Sequence, residues 1–180
     1  LSHLEDYLQT EWTDLKVYLT SVTEQWAVAS INGPKARDLL AELCDDVDLS
    51  PEAFKFMEWK EATVAGLPAR IFRISFTGDL AFEVNVPADK GMALWTALMT
   101  AGAKYGITPY GTEAMHVLRA EKGFIIVGQD TDGSLNPYDM DMGWIVGKDK
   151  ADFIGKRSLT RKDMSEPMRK QYVGILTEDP

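Results

Sequence analysis

The apolar residues near the start of the chain fall at helical spacing. Leu4, Tyr7, Leu8, Glu11 and Trp12 lie at i, i+3, i+4, i+7 and i+8, which predicts an amphipathic helix over residues 3–12. The period then shortens. Residues 17–22 and 26–31 read as two strands around Thr23-Glu24-Gln25, an antiparallel pair. Asn32-Gly33-Pro34 marks a turn, and a helix follows with Pro34 in its first turn and Leu39, Leu40 and Leu43 on one side. The acidic run Asp45-Asp46-Val47-Asp48 with Ser50-Pro51 ends that helix as a solvated loop.

Three strand patterns come next, over residues 55–64, 67–75 and 80–86. Ala65-Gly66 and Thr77-Gly78-Asp79 supply the turns of a meander. The third strand alternates strictly. Phe82, Val84 and Val86 face one way, and Ala81, Glu83 and Asn85 the other, before Pro87 closes the run. Glu83 thus sits mid-strand, opposite three bulky apolar side chains. Asp89 is placed to cap a helix over residues 90–101, whose stripe of Met92, Trp95, Leu98 and Met99 reads as core. This order of elements predicts an α+β fold: an antiparallel sheet with helices on one face, in a split βαβ, ferredoxin-like arrangement.

After the turn at Pro109-Tyr110-Gly111, Thr112 is a candidate N-cap. The helix it opens carries Ala114, Met115, Val117 and Leu118 on its apolar side, and Gly123 suits the left-handed position beyond its end. Residues 128–134 are a polar loop, residues 142–146 read as a buried strand, and a helix is expected from Asp152. The last thirty residues are locally basic (Arg157, Arg161, Lys162, Arg169, Lys170) and read as a solvated helix and linker. A final strand pattern covers residues 172–176. Because Leu1 opens inside a helical pattern and the end coincides with a new element, the chain reads as a segment of a longer polypeptide.

With 45% hydrophobic and 26% charged residues in 180, the composition is that of an ordinary globular chain. A net charge of −9 argues against nucleic acid as a partner, since a phosphate backbone calls for a basic face. No apolar run approaches the length of a membrane span, so no membrane partner is expected. Cys44 is the sole cysteine, which excludes a disulfide framework and favours a reducing cytoplasm.

Local motifs add little. Asp130-x-Asp132-x-Ser134 has a calcium-loop look, but Leu135 stands where the loop needs glycine, and no bidentate glutamate follows. Gly155-Lys156-Arg157-Ser158 lacks the phosphate-loop spacing, and there is no dinucleotide fingerprint. His3 and His116 are too few for a nitrogen-ligated metal, so no metal is expected. His116 lies one helical turn beyond Glu113, which reads as a local polar pair. Ser75 and Cys44 lack the surroundings of a nucleophile. Taken alone, Glu83 reads as a surface strand residue, and Arg119 with Glu121 as a helix-end charge pair.

Four spaced segments change that picture. Residues 76–84, Phe-Thr-Gly-Asp-Leu-Ala-Phe-Glu-Val, resemble the Y-T-G-E-x-G-F-E-[IV] signature of the folate-binding aminomethyltransferase family. That family includes the glycine-cleavage T-protein and the folate domains of dimethylglycine- and sarcosine-oxidising enzymes. Leu118-Arg119-Ala120-Glu121-Lys122-Gly123 resembles the family's L-R-x-E-x-G helix, and residues 136–144 and 153–156 resemble its next markers. Residues 105–123 and 126–133 are most similar to the sarcosine-oxidising members.

The resemblance implies a partial aminomethyltransferase-type folate-binding domain over residues 1–147. Residues 148–180 would form a helix and linker into a further, truncated C-terminal domain. It implies tetrahydrofolate as cofactor, with Glu83, Phe76, Met115 and Trp144 as cofactor-binding residues. Glu83 would clamp the pterin, because a carboxylate offers two acceptors to a ring N–H and an exocyclic amine in one plane. The family's essential aspartate is expected upstream of Leu1, so no catalytic residue is assigned and the segment is expected to be inactive alone.

Sarcosine oxidation would make glycine and pass the one-carbon unit to tetrahydrofolate. FAD, FMN and NAD would belong to the complete heterotetrameric enzyme and not to this segment, and the other subunits are the expected partners. Phe76 stands where most relatives carry tyrosine, and Met115 where the T-protein has arginine. A T-protein-like aminomethyltransferase and a non-catalytic subunit-interaction module are the alternative readings.

Overall fold

Ala65 and Gly66 both take positive φ (51° and 76°), the backbone twist that a two-residue hairpin needs. In the computed structural model they join β2 (Trp59–Val64) to β3 (Leu67–Phe72), with Val64 opposite Leu67. β4 (Ala81–Pro87) pairs antiparallel with β3, and β1 (Trp26–Asn32) pairs antiparallel with β4, giving a four-stranded sheet in the order β1-β4-β3-β2. β1 and β3 therefore run parallel with β4 between them, which is the expected split βαβ layout. The structure describes residues 1–176 and 178. The chain forms two compact units, Leu1–Leu118 and Arg119–Pro180.

In the first unit, α2 (Ala36–Leu43) and α3 (Gly91–Gly102) cover one face of the sheet. Leu39 and Leu40 of α2 and Leu94 and Leu98 of α3 meet Ile31, Ile71, Phe82, Val84 and Val86 in a single core. Burying each of these side chains stabilises the fold by roughly 1.5–3 kcal/mol, so this face holds the fold together. The opposite face carries Val28, Ser30, Glu83, Asn85 and Arg70. There Trp59 stacks on Phe72 with ring centroids 6.1 Å apart, and the Arg70 guanidinium lies 4.6 Å from the Trp26 ring. The alternation read from residues 80–86 is thus realised, but the face bearing Glu83 is not wet throughout. Ala81 is fully buried, and Glu83 and Asn85 are half-buried.

Several expected elements differ. Residues 17–22 form no strand, because β1 takes its ladder from β4 and alternation without a partner does not make a strand. Tyr18 is 97% exposed, and Thr23–Gln25 is a 3-10 turn. Asp89 does not cap α3; its carboxylate binds Lys90 Nζ at 2.8 Å in the preceding 3-10 turn. The expected α3 stripe is rotated. Leu94, Leu98 and Gly102 face inward, whereas Met92 and Trp95 are exposed. Small residues set this rotation: a Cβ at Gly91 would lie 2.7 Å from Ala27 Cβ, and one at Gly102 would lie 2.7 Å from Ile107. α1 (Ser2–Thr10) forms as expected but buries no residue. The acidic run does more than terminate α2, since both oxygens of Asp46 accept the Thr63 amide (3.0 and 2.8 Å).

α4 (Thr112–Glu121) matches its pattern, and Gly123 takes φ 71°, but Ala114 and Val117 are exposed and Arg119 is its buried residue. In the second unit the expected strand over 142–146 is instead a 3-10 turn, Gly143–Ile145. Its reason is close packing: a Cβ at Gly143 would meet the Tyr138 ring at 2.7 Å. The helix expected from Asp152 is interrupted by Gly155 at φ 94°, leaving a 3-10 turn at Ser158–Thr160 and the short α5 (Lys162–Ser165). Residues 172–176 form no strand; their ordered contact is the Tyr172 amide on the Asp139 carbonyl at 2.8 Å. Residues 177, 179 and 180, the end of the expected linker, lie outside the described residues.

Arg169 departs from the solvated tail expected of it. Its Nε and Nη2 donate to the two oxygens of buried Asp139 at 2.7 and 2.6 Å, and Nη2 also reaches the Ser134 carbonyl.

Candidate functional site

β1 is an edge strand. The Gly33 amide donates to the Leu80 carbonyl at 2.9 Å, which makes Gly33 and Leu80 a hydrogen-bonded pair. Counting back along the register, Ser30 and Glu83 are a non-hydrogen-bonded pair, the type in which facing side chains approach most closely. The main-chain groups of Ser30 and Val28 therefore point away from β4, toward a cavity of about 630 Å³ along the free edge. That cavity is bounded by β1, by Trp95 and Met99 of α3, by residues 105–112 and by Met115 of α4.

One polar cluster closes its rim. Asn32 Nδ2 donates to the Tyr110 phenol oxygen at 2.6 Å and to Ser30 Oγ at 3.0 Å, while Asn32 Oδ1 accepts the hydroxyl of buried Thr77 at 3.1 Å. A single amide thus ties together the end of β1, the turn before β4 and the segment leading into α4. Burial pushes the Tyr110 phenol above its ordinary value; the Ser30 hydroxyl opposes this, and the charges of Asp79 and Glu83 add to it. Burial likewise raises the Glu83 carboxyl. No Lys or Arg forms an ion pair with Glu83 among the described residues.

The four residues named from the resemblance are placed differently from one another. Met115 lines the cavity, and Glu83 lies on the adjoining sheet face across from Ser30. Phe76 is partly exposed in the turn that Thr77 anchors, and Trp144 belongs to the second unit, where it is 80% exposed. Sequence reasoning missed Asn32, Tyr110 and Thr77. Asn32-Gly33-Pro34 and Pro109-Tyr110-Gly111 read as turns, and nothing local signals that two turns 78 residues apart share a hydrogen bond.

Arg119 was also misplaced. Its guanidinium pairs with Asp130 and donates to the Phe124 carbonyl at 3.0 Å, and Glu121 is exposed. The reason is the turn at Gly123, which folds the following loop back over the helix end. No bond joins His116 to Glu113 among the described residues.

A half-buried carboxylate next to a largely apolar cavity on an α+β sheet is the kind of feature small-molecule sites are built from. The chain belongs to the GCVT N-terminal domain family, whose pattern matches residues 1–150. The sarcosine oxidase subunit alpha of Corynebacterium sp. (strain U-96) is 53% identical over 180 residues, covering 99% of this chain. This chain spans 18% of the length of that relative. The similarity expected from residues 105–123 therefore extends along the whole segment.

An aminomethyltransferase of Halothermothrix orenii is 36% identical over 153 residues, covering 85% of this chain and 42% of its own length. The solved heterotetrameric sarcosine oxidase from Corynebacterium sp. U-96 in complex with pyrrole 2-carboxylate aligns over 62% of this chain and 53% of its own. The TM-score of that alignment is 0.49 and the identity 20%.

Proposed function

We propose that this chain is the folate-holding part of a sarcosine-oxidising enzyme's alpha subunit, placing tetrahydrofolate where the methyl-derived carbon of sarcosine is released. The observation that carries this reading is Glu83: a half-buried carboxylate without a cationic partner among the described residues, facing Ser30 at the rim of a mostly apolar cavity. The residues fit the group. A carboxylate accepts two coplanar donors, and the walls supplied by Trp95, Met99, Pro109 and Met115 suit a flat ring system.

Glu83 orients the pterin without chemistry of its own, Met115 gives an apolar wall, and Phe76 offers a ring surface. Bound tetrahydrofolate would accept the one-carbon unit, and holding it near the point of release is a proximity effect. No catalytic residue is assigned in this chain. Residues 1–147 form the folate-binding domain in this reading, with 148–180 leading into the next. The partners are the other subunits of a cytoplasmic enzyme whose FAD, FMN and NAD lie elsewhere.

Calorimetry of the intact protein with tetrahydrofolate, wild type against Glu83→Ala, tests this. Losing a charged hydrogen-bonding partner costs about 1.5–3 kcal/mol, or roughly ten- to a hundredfold in affinity. Equal affinities, or no binding in either protein, sink the proposal.

A further inference from the structure

We propose that Tyr110 is a specificity-determining residue of this site, its hydroxyl donating to the carbonyl that neighbours the N–H groups taken by Glu83. This rests on the pterin-clamp reading and adds a second contact to it. The geometry starts at Asn32. One N–H of its amide goes to Ser30 Oγ and the other to the Tyr110 phenol oxygen, and its Oδ1 is fixed by the Thr77 hydroxyl. With Thr77 setting the orientation of the amide, Tyr110 accepts from Asn32. The Ser30 hydroxyl, itself accepting from Asn32, has its proton to give to the same phenol oxygen, which leaves the Tyr110 proton to donate to a ligand.

Ser30 carries the cluster to Glu83. Both hydroxyls converge on the Asn32 amide, and Ser30 faces Glu83 directly across the β1–β4 pair. Tyr110 also lines the cavity and is 42% exposed, so its hydroxyl is within reach of a ligand from solvent. The site thus presents an acceptor pair on Glu83 and, with Ser30 between them, a phenol held by the Asn32 amide.

That order matches a ring edge on which an exocyclic amine and a ring N–H are followed by a carbonyl, the edge of a 2-amino-4-oxo pteridine. A 2,4-diamino ring offers a donor in place of that carbonyl. Tyr110 then has nothing to bond, and a site built around a hydrogen bond discriminates strongly against the analogue that cannot make it.

The test measures binding of tetrahydrofolate and of its 4-amino-4-deoxy analogue to the intact wild-type protein, Tyr110→Phe and Glu83→Ala. Phenylalanine keeps the ring and its packing and removes only the hydroxyl. The expected result for Tyr110→Phe is about tenfold weaker tetrahydrofolate binding with the 4-amino analogue unchanged. Unchanged tetrahydrofolate affinity in Tyr110→Phe overturns the proposal, and so does an equal loss for both ligands, which would mean the tyrosine acts only on structure. If Glu83→Ala binds like the wild type, the clamp itself is wrong and Tyr110 falls with it. A large loss in Glu83→Ala beside an unaffected Tyr110→Phe removes Tyr110 alone.

Discussion

Thr77 donates its hydroxyl to Asn32 Oδ1 across 3.1 Å, a bond between residues 45 apart in the chain. Thr77 is almost fully buried, so Asn32 is the partner that replaces water for it. The bond fixes the turn from which β4 and Glu83 begin, and the same amide holds Tyr110.

Asn32→Ala should therefore act at a distance. Leaving a buried hydroxyl without its partner costs about 1–3 kcal/mol. Hydrogen exchange on the intact protein should show lost protection over residues 77–83, with little change around Leu40 in the core. Unaltered protection in that turn would mean that Asn32 does not anchor it.

Glu83 should be a stability liability in the ligand-free protein. Burial raises its carboxyl above the ordinary value of 4.5, so the folded state prefers the protonated form. The stability linked to this group is complete below that ordinary value and is lost as pH rises through the raised folded one. Glu83→Gln should unfold at higher temperature than the wild type at pH 7, with the gap closing as pH falls below 4.5. A Glu83→Gln protein that is less stable at pH 7 would point to a binding partner for the carboxylate within the fold.

Asp130, not Glu121, is the ion-pair partner of Arg119. Arg119 is 7% exposed, and breaking a buried pair by removing one member typically costs 3–5 kcal/mol. Asp130→Asn should cost about 3 kcal/mol in urea unfolding, because Asp130 is partly open to solvent. Glu121→Gln should stay within about 0.5 kcal/mol. The reverse ranking would restore the helix-end pair.

Asp139 and Arg169 tie the end of the second unit to its middle, and the guanidinium holds the Asp139 carboxyl below its ordinary value of 3.8. A lowered carboxylate contributes stability above its unfolded value and loses it as pH falls through the folded one. Unfolding midpoints measured from pH 7 down to pH 3 should fall more steeply for the wild type than for Arg169→Gln, which has already lost the pair. Parallel curves would show that the pair is not linked to acid unfolding.

What the sequence determined by itself is local. Alternation at 80–86, the Ala65-Gly66 turn and the Leu39–Leu40 pattern of α2 specify strands, a hairpin and a buried helix face, because strand and helix periods are set by backbone geometry. Its motifs also identified the family, since short spaced signatures survive where pattern alone is ambiguous.

Tertiary structure decided everything that depends on which surfaces meet. It denied residues 17–22 a ladder partner, and it rotated α3 so that Leu94 and Leu98 join the core, with Gly91 against Ala27 of β1 and Gly102 against Ile107. It gave Arg119 to Asp130, and it joined Asn32, Thr77 and Tyr110 into one rim beside Glu83. A turn residue in sequence carries only its own φ and ψ preferences. Whether its side chain meets another turn 78 residues away depends on how the sheet order folds the chain back on itself.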